Sequence, residues 1–433
     1  MSSLKERLKE REETKGAFRI GLIGSGQMGT GLINQTELMY GMNIVATADV
    51  MPGRAEAAYE EAGVDPALVE FVENDVAKAN ELIKAGKRVA TMSSDFLVQI
   101  DELDAIVECT GIPEVGAMIC EAAIKAGKDV INMNVETDAT IGYYLTQKAE
   151  EAGVVYSLVA GDEPGSIREL YDFADALGFE IVTIGKGKNN PLNRAANPDT
   201  AAEKAKRQQM SPKMLASFED GTKTMVEMTS IGNSTGFMPE VRGAHGPKCS
   251  VEDLPKVFSL KENGGIFDNK GCVDYAIGVA PGVFIIITTD QPKIRRDLNY
   301  LSVSHHGNYW CLYRPYHMAN LETPITIANV CLDGRETLKI GHKPVCETIT
   351  IAKRDLKAGE KIDSIGGYTV YGMIEKASVS HEQNLLPLGI SYGAVLKNDV
   401  VMGEAVSYDD VELNEDLLIV KLRREQDKMV YGE

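Results

Sequence analysis

Gly24, Gly26 and Gly29 stand in the spacing G-x-G-x-x-G, between an apolar run that starts at Arg19 and a helix-forming stretch. Asp49 closes a second apolar run, Asn43 to Ala48, twenty residues past the last glycine. In that context the pattern predicts a dinucleotide cradle. Gly24 permits the tight turn, Gly26 admits a pyrophosphate close to the backbone, and Gly29 lets the helix lie against the strand. The helix opening at Gln27 and Met28 offers N–H groups and a positive dipole end to the phosphates. Asp49 suits a ribose 2′-hydroxyl and hence NAD, whereas Arg54 suits a 2′-phosphate and hence NADP, so the sequence leaves both open.

Hydride transfer between a nicotinamide and a carbonyl or alcohol needs a proton donor or acceptor on the oxygen and a positive field for the developing alkoxide. Lysine supplies both. Lys186, Lys188 and Lys223 fall in glycine-bearing or helix-starting segments, and Lys188 or Lys223 is the expected acid/base, because a buried lysine beside other cations is pushed towards neutrality. Arg242, His245 and Lys248 form a compact cationic loop in an acidic chain, and Arg314 with His317 forms a second pair. Both point to an anionic small-molecule substrate, a phosphate or a carboxylate. Asn189 and Asn190 would bind its hydroxyls. Arg314 can equally stack among Tyr313, Tyr316 and Trp310. Asp162 and Glu163, with Glu227 or Glu322, offer oxygens to a divalent metal such as Mg²⁺, although acids at a helix start also serve as caps. His305 and His306, adjacent on a strand, point to opposite faces and make a poor metal pair.

These groups need a framework, and alternating apolar strands and helices supply one. Beyond Asp49, the segments 55–62, 74–85 and 115–126 read as helices, and 89–92, 105–109 and 129–133 as strands, which predicts a doubly wound parallel sheet. Ligands sit at the carboxyl ends of such strands, placing Thr110, Gly111 and Asn134 at the nicotinamide end. After a helix from 166 to 176 and a strand from 180 to 185, residues 186–210 read as a long polar loop. A helix from 223 to 233 and a strand from 282 to 289 follow. Short strands and glycine turns after 341 predict a small all-β appendage. The expected division is an N-terminal helical segment (1–16), a Rossmann dinucleotide-binding domain (17–160), an α+β catalytic and oligomerisation domain (161–340) and the β appendage (341–433).

The 433-residue chain is 44% apolar, which suits ordinary globular packing in two or three domains. Its formal net charge of −19 argues against nucleic acid as a partner. No apolar run approaches the roughly 20 residues that cross a bilayer, and no secretory h-region follows Met1, so a cytoplasmic protein is expected, and the architecture points to a homo-oligomer. Seven scattered cysteines read as reduced thiols.

Four segments are more specific: 185–191 (GKGKNNP), 220–224 (DGTKT), 242–247 (RGAHGP) and 313–317 (YRPYH). On these the chain resembles, over nearly its whole length, homoserine-dehydrogenase-like oxidoreductases with a C-terminal SAF (β-clip) domain. A DXR-like branch of that family implies conversion of 1-deoxy-D-xylulose 5-phosphate to 2-C-methyl-D-erythritol 4-phosphate with NADPH. Other members act on polyols or sugar acids. Where homoserine dehydrogenases carry Asn-Lys, this chain has Asn134-Val135, a departure from the homoserine pattern. A different class is a dinucleotide-sensing binding protein whose β tail recognises a ligand.

Overall fold

The computed structural model describes residues 2–188, 190–208, 210–363 and 365–432. They form two compact units, each discontinuous in sequence: Met1–Asp162 with Met318–Gly341, and Glu163–His317 with His342–Glu433.

The first unit is built on seven parallel strands: β1 (Phe18–Ile23), β2 (Met42–Ala48), β3 (Val69–Phe71), β4 (Arg88–Thr91), β5 (Ala105–Glu108), β6 (Asp129–Asn132) and β7 (Tyr156–Leu158). Their order is β3-β4-β2-β1-β5-β6-β7. The chain reverses direction across the sheet between β1 and β5, the switch point where such sheets bind ligands. Ile20, Leu22, Ile44, Ala105, Val107 and Ile131 lie in one fully buried cluster, the continuous apolar reading expected of strands covered on both faces. The N-terminal helix Leu4–Lys15 starts at a Ser3–Glu6 capping box and buries Leu8 in the same cluster.

The segment 318–341 departs from the expected serial division. It returns to the first unit, where the helix Ala319–Asp333 adds Ile327, Ala328 and Val330 to the core, and Leu338 bridges Leu158 beside β7. The reason is apolar surface: this helix completes a core that the first 162 residues leave open.

The second unit holds a five-stranded sheet, β8 (Glu180–Lys188), β9 (Cys272–Ile277), β10 (Val283–Thr288), β11 (His305–His306) and β12 (Tyr309–Arg314), in the order β11-β12-β10-β8-β9. Only β8 and β9 run parallel. The chain after 341 packs into this unit as β13 (Cys346–Ala352) and β14 (Val370–Lys376), short bridged segments and a terminal helix, Leu418–Tyr431. That helix corrects the all-β expectation. It buries Ile419, Val420, Leu422 and Val430, a helical rather than alternating spacing.

Two further expectations are corrected. Lys186, Gly187 and Lys188 belong to strand β8 rather than to a loop, and residues 198–208 form a helix, Pro198–Gln208, with Ala201 and Ala205 buried. Among the described residues no helix is long and apolar enough to cross a membrane. None of the seven cysteines is in a disulfide.

Candidate active site

The cradle has the geometry its sequence predicts. Gly24 has φ +97°, and a Cβ there would meet the Cys109 backbone at 2.8 Å. A Cβ on Gly29 would stand 2.0 Å from the Gly24 carbonyl oxygen. Gly26 has nothing within 4 Å of its Cβ position, leaving open space at the start of the helix Gln27–Thr36. That is the place where phosphates meet unpaired N–H groups. Asp49, at the end of β2, accepts hydrogen bonds from Ser25 N (2.9 Å), Ser25 Oγ (3.0 Å) and Met51 N (2.9 Å). It thereby ties the glycine turn to the next strand, and the residues present fit a dinucleotide. Arg54 is exposed at the first turn of its helix.

At the carboxyl end of β5, Glu108 accepts from the Thr110 hydroxyl and from Thr110 N (2.8 Å). Burial pushes its carboxyl up to about 7 against these bonds. Gly111 turns with φ +68°. Asn134 is 1% exposed; its oxygen caps the helix Val135–Ala152 at Thr137 N (3.2 Å) and its amide donates to Ile112 O (3.1 Å). Its contacts make it a buried brace between two strand ends.

In the second unit, β8 explains the Lys-Gly-Lys pattern. Alternation puts Lys186 and Lys188 on one face and Gly185 and Gly187 on the other. A Cβ on Gly187 would lie 2.4 Å from Ala280 N, and one on Gly185 2.6 Å from Asp274 O. The glycines are therefore flat packing positions, while both lysines face helices. Lys186 Nζ bonds Glu163 (2.5 Å), at the start of the helix Glu163–Ala176, and Glu227, on the helix Thr222–Thr235. Burial alone would favour a neutral amine, but Glu163 and then Glu227 outweigh it and raise the Lys186 pKa. In turn burial, and then the charge of Glu163, raise Glu227 above the usual carboxylate range. Lys186 is thus a fixed cation rather than a proton donor.

Lys188 is the opposite case. It is 4% exposed, and its ammonium donates to the Phe218 carbonyl (2.5 Å). Burial, and then the charge of Lys186, lower its pKa to about 8. Lys223 sits one helical turn before Glu227, half-buried, and its charge reaches that carboxyl. His317 Nε2 lies 3.5 Å from Glu163, and Arg314 donates to Ser166 (2.9 Å) and Glu169 (3.2 Å) while stacking on Tyr316 at 4.7 Å. The second unit therefore gathers Lys186, Lys188, Glu163, Glu227 and His317 in one place. Asp162, Glu163 and Glu227 each bring a carboxylate oxygen within 4.8 Å of the others, a grouping that could hold a divalent ion, and Glu163 and Glu227 also accept from the Lys186 ammonium. Glu322 is not among them and accepts from Met318 N (3.1 Å).

The cationic loop is corrected. Arg242 is paired with Glu375 (2.7 Å) and Gln383 (2.7 Å). His245 bonds Asp274 through both Nδ1 (2.9 Å) and its backbone N (3.0 Å), and that bond raises its pKa. Lys248 is exposed beside the Ile277 bridge. Arg242 and His245 thus answer carboxylates on neighbouring strands. Asn190 accepts from Lys204 (2.7 Å), and Asn189 lies outside the described residues.

Residues 161–323 match the family described as "Oxidoreductase DRL, catalytic domain", and residues 43–158 match "Homoserine dehydrogenase, NAD binding domain". Among curated proteins none matches. Among solved structures, the chain is similar to a probable dehydrogenase from Thermotoga maritima (14% identity, 74% of this chain and 90% of that one, TM-score 0.43). It is also similar to scyllo-inositol dehydrogenase from Lactobacillus casei with NAD(H) and scyllo-inositol bound (16% identity, 63% and 73%, TM-score 0.37). The chain is an NAD-dependent oxidoreductase.

Proposed function

We propose that the protein transfers hydride at a CH–OH or carbonyl carbon of a small polyhydroxy compound, a polyol or sugar acid, with Lys188 as general acid/base. The observation that carries this reading is the contrast on one strand face: Lys186 locked as an ammonium by two carboxylates, Lys188 two residues on and poised near neutrality. NAD, held by Gly24, Gly26, Gly29 and Asp49, supplies the hydride chemistry. Lys188 holds or releases the proton at the substrate oxygen, and Lys186 fixes positive field on the same face. His317 and Arg314 remain the groups expected to meet substrate hydroxyls or a carboxylate. Asp49 would repel a 2′-phosphate, so NAD is preferred to NADP.

A sugar-phosphate reductoisomerase of the DXR-like kind is the second reading, favoured by the Glu163–Glu227 acid pair. The polyol reading is preferred because Arg242 and His245, expected to meet a phosphate or a carboxylate, are paired with Glu375 and Asp274. The β tail as an SAF-like module is part of either reading.

A panel of polyols, sugar acids and sugar phosphates, followed by reduced-nicotinamide absorbance with NAD and NADP, tests these assignments. Lys188→Ala is expected to lower kcat by roughly 10²- to 10⁴-fold with NAD affinity retained. In the oxidising direction Lys188 must accept a proton, so kcat should rise with pH through about 8; in the reducing direction it should fall through the same pH. A flat profile with full activity in the variant would remove Lys188 from the chemistry.

A further inference from the structure

We propose that the first unit carries a second small-molecule site, at the amino ends of its strands and away from the glycine turn, built for a multiply charged phosphate compound.

A cavity of about 390 Å³ lies there, within the size range of small-molecule sites. Arg11 and Lys15 reach it from the last turns of the helix Leu4–Lys15, Arg19 and Asn43 from the starts of β1 and β2, and Lys87 and Arg88 from the start of β4. Arg19 and Asn43 are register partners, and Arg88 donates to Asn43 Oδ1 (3.3 Å), so three neighbouring strands supply one row of polar groups. Val45 and Ile83 add an apolar patch to the same wall. Along β1, roughly 16 Å of strand separates Arg19 from Gly24, which keeps this place apart from the cofactor end.

Five cations line the cavity against one acid, Asp104, in a chain whose net charge is −19. Asp104 accepts from Arg19 N (2.7 Å). Glu102, Glu37 and Glu70 pair with Arg19, Arg88 and Lys87 from outside the lining, and two of them are shared: Glu102 with Lys84, and Glu70 with Lys78. Each paired guanidinium still has further N–H donors. Among the described residues, Arg11 and Lys15 have no carboxylate within ion-pair distance; Arg11 donates to Gly16 O (2.6 Å) and lies over the Phe18 ring at 4.3 Å. Two helices, Leu4–Lys15 and Val76–Lys84, end beside the cavity. A helix C-terminus carries about half a negative charge, so the two ends answer only about one of the five cations. The surplus suits an anion of more than one charge. Arginine matches phosphate oxygens in bidentate fashion, lysine adds a point charge, and Val45 with Ile83 offers the organic part of a phosphate ester a surface to lie on.

Calorimetric titration of the full-length protein with inorganic pyrophosphate, at constant ionic strength and with NAD saturating so that the glycine turn is occupied, tests the site. One equivalent is expected to bind with a Kd of roughly 0.1 to 1 mM, and sulfate at least about tenfold more weakly. Lys15→Glu, at an exposed position, should weaken pyrophosphate at least about tenfold, whereas Arg54→Glu, beside the cofactor end, should leave it unchanged. In the unaltered protein, hydrogen exchange should show pyrophosphate protecting residues 11–19, 43–45 and 83–88, a readout that needs no variant to fold. No binding up to about 10 mM, an unchanged Kd in Lys15→Glu, or protection confined to residues 24–36 overturns the proposal. Sulfate binding as tightly as pyrophosphate would mean an adventitious ion only, and overturns it too.

Discussion

At the scale of single residues, the cradle and the site depend on very different tolerances. Gly29 faces a backbone oxygen that cannot step aside, so Gly29→Ala should destabilise the first unit by roughly 1 to 3 kcal/mol. It should also weaken NAD binding at least about tenfold, which calorimetry would measure. Glu108 shows a different constraint, an acid kept where its charge is unwelcome. Its pKa in the fold is raised to about 7, above the ordinary value of 4.5. The folded state therefore holds the proton more tightly than the unfolded one. The stabilisation this gives is complete below pH 4.5 and is lost as pH rises to 7. Glu108→Gln, which keeps an acceptor for Thr110, should accordingly leave stability at pH 4.5 nearly unchanged and raise it by about 2 to 3 kcal/mol at pH 8. Urea denaturation at the two pH values checks this, and equal midpoints at pH 8 would contradict it.

At the scale of elements, the helix Thr222–Thr235 is the member on which the site's geometry turns. It presents Glu227 to Lys186 on one side. On the other, Thr222 accepts from Gly372 N (2.9 Å), Thr229 bonds Thr348 (2.8 Å) and Asn233 bonds the start of β13. The spacing 222, 229, 233 is one helical face laid along the β13–β14 pair. Asn233 Oδ1 takes Val345 N (2.8 Å) and Cys346 N (2.7 Å), and its amide donates to Cys346 O (3.1 Å). Asn233→Ala would leave several buried backbone groups without partners and should cost roughly 2 to 4 kcal/mol in urea denaturation. A loss under about 0.5 kcal/mol would mean that water replaces the side chain.

At the scale of the whole molecule, cofactor and tail act on different compact units. NAD at 100 times its Kd should stabilise the unit that holds the glycine turn by about 2.7 kcal/mol. Hydrogen exchange should then show NAD protecting residues 18–49. Arg423→Met, by contrast, leaves Glu347 buried without the guanidinium of the terminal helix. Its loss of protection is expected within 163–317 and 342–432, since the tail and the site lie in one compact unit. Exchange rising instead in the nucleotide unit alone would contradict that division.

The parallel sheet and its nucleotide cradle were legible in the sequence because their signals are local: apolar strands of three to seven residues, glycines at a spacing that only a tight turn and a close helix require, and an acid at the next strand end. The three lysines were also visible as candidates, by residue type. Their separate roles were not, since burial and neighbours divide Lys186 from Lys188, and Glu163 and Glu227 lie far from that lysine pair along the chain. The glycines at 185 and 187 misled because a turn glycine and a glycine pressed against a neighbouring strand look alike in one dimension. Arg242 and His245 misled for a related reason: a cation's partner decides whether its field is available, and Glu375 and Asp274 reach them only through the sheet. Sequence spacing records what the backbone must do nearby, whereas the charge state of a buried amine is set by whatever the fold brings within a few ångströms of it.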